Sequence, residues 1–184
     1  MSEENGFKNL EENIETTIYE GLLKLGYTDN ESFSIFYELD LLNYLLGTAF
    51  QTREACLDYL QEFIAFVKGR FYDIRILPER DRFKFTVPKE GVAYIYKNNE
   101  NNLFLKELID TVNSHSFTLK DILAVFKRYS EDYACEEMNH PEFQYVIYFR
   151  DGRTDKFKYC FTFDGMGGYY HRLLDFSYNK IIRE

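Results

Sequence analysis

Between Phe143 and Phe163 an apolar residue recurs at every second position along two runs: Phe143, Tyr145, Ile147 and Phe149, then Phe157, Tyr159, Phe161 and Phe163. Side chains of a strand point alternately to its two faces, so a period of two dictates strands with one buried face. Arg150-Asp151-Gly152 lies between the two runs. A two-residue Asp-Gly turn would set Ile147 opposite Lys156 and Tyr145 opposite Lys158, lining an aromatic face with ammonium groups. A three-residue loop with Gly152 left-handed instead pairs Tyr145 with Phe157 and Phe143 with Tyr159, and this is the predicted register.

The same period occurs earlier. Tyr72, Ile74 and Ile76 alternate with polar residues, and after Pro78-Glu79-Arg80-Asp81 so do Phe83, Phe85 and Val87. A four-residue loop would join Leu77 to Arg82 and set Ile76 opposite Phe83, Ile74 opposite Phe85 and Tyr72 opposite Val87. Val92 to Tyr96 reads as a further strand, ahead of an Asn-rich turn from Asn98 to Asn102. Elsewhere the apolar step is three or four. Phe7, Leu10, Ile14, Ile18, Leu22 and Leu25 predict a first helix, with a turn from Asp29 to Ser32; a second, densely apolar one spans about Ile35 to Leu46. Thr52 is placed to cap a third helix carrying Cys56, Leu60, Phe63, Ile64 and Val67. Leu105, Leu108, Ile109 and Val112, then Leu119, Ile122, Leu123 and Phe126, predict a helix pair. Thr118 and Asp121 stand at capping-box spacing before the second of these. Residues 130–142 are polar and fit no template, and Tyr169 to Ile182 fits helix and strand equally.

Together these predict an α+β fold, a single compact domain over 1–184 in which two antiparallel hairpins flank a helix pair. Residues 1–68 are mainly helical, 69–97 and 143–163 are hairpins, 102–130 the helix pair and 164–184 a C-terminal segment. With 18 Phe and 16 Tyr in 184 residues, the core is expected to be aromatic.

Charge is uneven along the chain. Residues 1–66 carry 3 Lys and Arg against 13 Asp and Glu, whereas the remainder is nearly balanced, giving −9 overall. An acidic first third repels the phosphate backbone of nucleic acid, which is bound through Lys and Arg; it reads first as the solvated outside of helices and, as the alternative, as a surface that steers a basic protein partner. Cys56, Cys135 and Cys160 are odd in number and widely spaced, which fits a reducing cytoplasm better than a disulfide scaffold. The acidic start lacks a secretory leader pattern, and no run approaches the length of an apolar membrane span.

Several segments invite a site. Asp164, Gly165, Gly167 and Gly168 form a glycine cluster around Met166, followed by Tyr170, His171 and Arg172. The cluster is expected to make a plain reversal after the Phe157 to Phe163 strand; glycine N–H groups beside a hydroxyl, an imidazole and a guanidinium also make it the candidate ligand or anion site, although it has neither a Walker lysine nor dinucleotide-binding spacing. The order helix, turn through His115 to Phe117, helix, hairpin invites comparison with a winged helix presenting Lys120, Lys127 and Arg128. The near-neutral charge of residues 115–163 argues against that use. Phe83, Phe85, Tyr94 and Tyr96, set among the basic residues of 68–97, have the composition of an RNA-binding sheet and equally that of a half-buried hairpin. Cys135, Glu136, Glu137 and His140 are the nearest approach to a metal cluster and lack metal-ligand spacing. No cofactor, metal or catalytic residue is assigned. Cys56 is expected in the core and Cys160 on the polar face of its strand.

The runs Ile35 to Gly47 (IFYELDLLNYLLG) and Phe161 to Tyr170 (FTFDGMGGYY) resemble those of an uncharacterised Firmicutes domain family of unknown function. The resemblance implies a bacterial source and carries over no site residue. The expected function is therefore a non-catalytic, cytoplasmic, protein-binding domain, with immunity or antitoxin-like inhibition as its analogue. A small-molecule or enzymatic site at Asp164 to Arg172 is the alternative, then winged-helix nucleic-acid binding.

Overall fold

The computed structural model describes residues 3–26, 31–114, 116–152, 154–165 and 167–183. Its architecture is α+β, with helices and two separate antiparallel sheets. The chain divides into two compact units, Met1–Asn101 and Asn102–Glu184, at the Asn-rich turn legible in the sequence.

The first unit runs α1 (Glu3–Leu25), β1 (Phe33–Glu38), α2 (Leu39–Leu46), α3 (Arg53–Phe71), β2 (Arg75–Glu79), β3 (Arg82–Val87) and α4 (Lys89–Asn99), with sheet order β1-β3-β2. Leu10, Ile14 and Ile18 of α1 are fully buried, as their spacing requires, and so are Leu60, Phe63 and Val67 of α3 and Phe83 and Phe85 of β3. Thr52 caps α3 by accepting from the Ala55 N–H. The expected turn at Asp29 to Ser32 falls partly on residues outside those described.

Three expectations for this unit are corrected. The predicted helix from Ile35 begins instead as β1, because Ile35 and Tyr37 are buried while Phe36 between them is 47% exposed, an alternation hidden in a dense apolar run. The Tyr37 hydroxyl donates to Asn13 Oδ1 at 2.8 Å, which satisfies its buried oxygen. The predicted strand at Val92 to Tyr96 is part of α4. Pro88 starts that helix by accepting from the Val92 N–H at 2.9 Å, and Val92 and Ile95 supply its buried stripe. The first hairpin is tighter than predicted: Ile76 pairs with Phe85 and Pro78 with Phe83, leaving Arg80 and Asp81 as the loop. Proline is tolerated in β2 because β2 is an edge strand. The shift is two residues, so the buried face is the predicted one.

The second unit runs α5 (Leu103–Val112), α6 (Leu119–Tyr129), β4 (Tyr133–Glu137), β5 (Tyr145–Phe149), β6 (Lys158–Phe163), β7 (Gly168–Leu173) and α7 (Asp175–Ile181). Its sheet order is β4-β5-β6-β7, so the predicted hairpin is the central pair. Thr118 and Asp121 form both bonds of the capping box at the start of α6. Pairing is Tyr145 with Phe161 and Ile147 with Tyr159, four residues from the expected register with the same facing. The connection is longer because Asp155 accepts from the Phe157 N–H at 2.7 Å and the Tyr159 hydroxyl at 3.0 Å, holding the preceding residues out of the ladder. Gly152 is left-handed as expected, with φ 61°.

One sheet face packs on α5 and α6. The Phe104 ring meets Phe126, Phe149 and Tyr159 at centroid distances of 5.0, 4.9 and 5.7 Å, all steeply inclined. Each such pair adds about 0.5–1.5 kcal/mol beyond burial. The opposite face carries Val146 and Cys160, covered by α7 through Tyr178 and Ile181. Cys160 is therefore fully buried and not on a polar face, because the sheet is covered on both sides. The segment Tyr169 to Ile182, which matched two templates, contains both: β7 and then α7.

Candidate functional site

The glycine cluster makes the β6–β7 turn. Asp164 N–H donates to Gly167 O at 3.3 Å. Gly168 has φ 154°, and a Cβ there would lie 2.0 Å from Thr162 O, so the close strand crossing requires glycine. Met166 lies outside the described residues. The turn leads into strand β7, so the glycine amides do not stand at a helix N-terminus. Strand alternation then separates the three side chains expected to gather. Tyr170 is buried against Tyr159 and Phe161 at 5.6 and 5.4 Å, and the Arg172 guanidinium stacks 3.9 Å above Phe157. His171 and Tyr169 occupy the other face, 5.8 Å apart.

On that other face His171 meets a different group. Its ring lies 5.2 Å from Phe143, and on the far side of Phe143 stacks His140, at 5.0 Å and 23°. His140 Nδ1 accepts from the Glu142 N–H at 3.1 Å, so the neutral ring carries its proton on Nε2. His140 stands in the wall of an open cleft of about 700 Å³. One wall is the end of β4 and its connection to β5, Glu137 to Glu142; the other is Tyr178, Ile181 and Ile182 of the α7 region. Buried Phe143, with half-buried Met138, lies in the hydrophobic cluster beside it. Glu137 and Glu142 line the cleft and are exposed, and Glu136 accepts from the Tyr148 hydroxyl at 2.7 Å. From Glu131 to Glu142 there are five carboxylates, with Glu131 and Asp132, and no Lys or Arg.

The cleft is not legible in the sequence. Residues 130–142 match no periodic template, although five acids interrupted by His140-Pro141 are a visible signal. The C-terminal wall is hidden because Tyr178 and Ile181 belong to a helix of only seven residues.

The cysteines are poorly disposed for nucleophilic chemistry. Cys135 is exposed on β4, and burial of its sulfur, then Glu136 and Glu137, push its thiol above the ordinary value. Burial pushes Cys56 up to about 11 and Cys160 up to about 12. Nucleophilic cysteines need the opposite shift. Among the described residues, no group of three or more His, Cys, Asp or Glu is placed to hold a metal ion. The hairpin read as a wing is flanked by β4 and β7 instead of projecting, and Arg128 of α6 is paired with Glu107. His115 lies outside the described residues. Phe83 and Phe85 are fully buried, so they offer no stacking platform for bases. Among the described residues, no helix is long and apolar enough to cross a membrane.

In the first unit Glu11 of α1 is tied to α3. Arg70 of α3 donates through Nε and, at 3.1 Å, Nη2 to Glu11, and its guanidinium lies 4.9 Å over Phe66. Glu15, one turn on, is pushed up to about 7 by burial and then by Glu11.

Compared with known proteins, residues 7–182 fit the family model described as "Domain of unknown function, E. rectale Gene description (DUF3877)". No curated protein and no solved structure matches.

Proposed function

We propose that this chain, which belongs to the DUF3877 family of domains of unknown function, works as a non-catalytic protein-binding domain that takes a basic segment of a partner protein. The observation that carries this reading is the cleft of the second unit, where apolar Met138, Tyr178, Ile181 and Ile182 stand beside exposed Glu137 and Glu142. Apolar side chains in a concave site supply anchoring energy, while carboxylates steer cationic partners and set orientation. The thiols, each pushed toward the neutral form, support the non-catalytic half of the reading. A cytoplasmic setting, and an inhibitory role of the immunity or antitoxin kind in which an acidic domain covers a basic surface, are the finer form of the proposal.

The test is capture of partners at low salt by the natural chain and by a Glu137→Lys, Glu142→Lys variant. A control carries Asp58→Lys and Glu62→Lys on α3. The reading expects a partner that the control retains and the cleft variant loses, with affinity falling as salt rises. A partner set identical for all three proteins, or none, counts against it.

A further inference from the structure

We propose that α7 is a displaceable latch: the partner's basic helix, drawn to the cleft by Glu137 and Glu142, takes the apolar strip that α7 covers, and Tyr178, Ile181 and Ile182 wall the cleft only until it does. The identity of the incoming helix rests on the cleft reading; the latch stands on observations of its own. Seven residues are too few for a helix stable by itself, and α7 is held by partly buried side chains, none of them fully buried. Its N-cap, Leu174, contributes no side-chain hydrogen bond. Yet beneath it lie Phe143, Val146 and Cys160, 3%, 1% and 0% exposed. A weak element thus shields a continuous apolar strip, and segments of this kind open locally without global unfolding.

What holds α7 is reversible. Lys158 Nζ lies 4.3 Å from the Tyr178 ring centre and 3.2 Å from Asp175 Oδ1. The helix also shows what the groove accepts: Tyr178 and Ile181 pack against the strip, with Lys180 exposed between them. An incoming helix with aromatic or aliphatic residues at i and i+3, and Lys or Arg between them, reproduces that arrangement.

Cys160 reports the latch directly, because α7 must move before a reagent reaches its sulfur. The experiment uses the full chain with Cys135→Ser, maleimide labelling and mass mapping of the labelled cysteine. Cys160 is expected to label at a rate almost flat in low urea, about tenfold faster with Tyr178→Ala and about twofold faster with the mild variant Asp175→Asn. A rate that climbs steeply with urea, in step with unfolding, and ignores both variants would overturn the latch. Displacement is read by hydrogen exchange on adding a synthetic amphipathic helix with lysines on its polar face. Loss of protection across residues 175–182 supports it, and gained protection there contradicts it. The labelling result involves no partner, so a failed latch leaves the charge-reversal test of the cleft standing, and the reverse also holds.

Discussion

The ammonium group of Lys158 stands 4.3 Å from the centre of the Tyr178 ring and 4.8 Å from that of Tyr148, so one cation from the central strand β6 joins the neighbouring strand to α7. Its side chain is 21% exposed, which leaves the contact partly screened from water. A cation over a ring in such a setting is worth about 0.5–2 kcal/mol. Lys158→Met keeps the stem and removes the charge. In a double-mutant cycle with Tyr178→Leu, read by urea unfolding, the expected coupling is about 0.5–1 kcal/mol. Zero coupling would mean that the rings pack only on the aliphatic stem.

Glu15 makes the stability of the first unit depend on pH. Its carboxyl titrates at about 7 in the fold, against 4.5 ordinarily, because burial and Glu11 disfavour its charge. Between those values the folded chain holds a proton that the unfolded chain has lost, so stability falls as pH rises through this window and levels off above it. Glu15→Gln is expected to stabilise the protein by about 1–3 kcal/mol at pH 8, with the difference vanishing near pH 4. Thermal melts of both proteins across that range check this; a gap that is constant in pH would refute it.

Gly168→Ala places a Cβ against Thr162 O, at 2.0 Å in the present backbone, at a φ that L residues rarely adopt. Neither backbone can yield without breaking the pairing of Phe163 with Gly168. A loss of about 2–4 kcal/mol is expected by urea denaturation, whereas Gly152→Ala, with open space around its Cβ site, is expected to cost about 1 kcal/mol.

Thr118→Ala removes the side-chain acceptor for the Asp121 N–H and the hydroxyl donor to its carboxylate, while the backbone bond from Thr118 N to Asp121 remains. Exposed caps of this kind contribute about 1 kcal/mol. A shift of the urea midpoint without a change in slope is the expected signature.

Legibility of the fold tracks the clarity of local patterns. The capping box, the Thr52 cap and the facing of both hairpins are all readable, because each depends on residues close in sequence. Registers are not, since moving Ile76 from Phe83 to Phe85, or Tyr145 from Phe157 to Phe161, keeps every side chain on the same face. Phe36 misleads because a strand of six residues inside an apolar run offers too few positions to show its alternation. Cys160 misleads because alternation alone cannot reveal that α7 covers the second face. The glycine turn is correctly read as a reversal, but strand geometry divides Tyr170 and Arg172 from His171. The cleft depends on residues 40 positions apart, Met138 and Tyr178, and only the folded sheet brings them together.

The most direct measurement of the central claim is chemical-shift mapping of the isotopically labelled protein titrated with the lysine-bearing amphipathic helix. The account predicts saturable shifts concentrated at residues 137–142 and 175–182, weakened by salt and abolished by Glu137→Lys with Glu142→Lys. Shifts centred on the acidic helices α1 and α3, or none at either place, would contradict it.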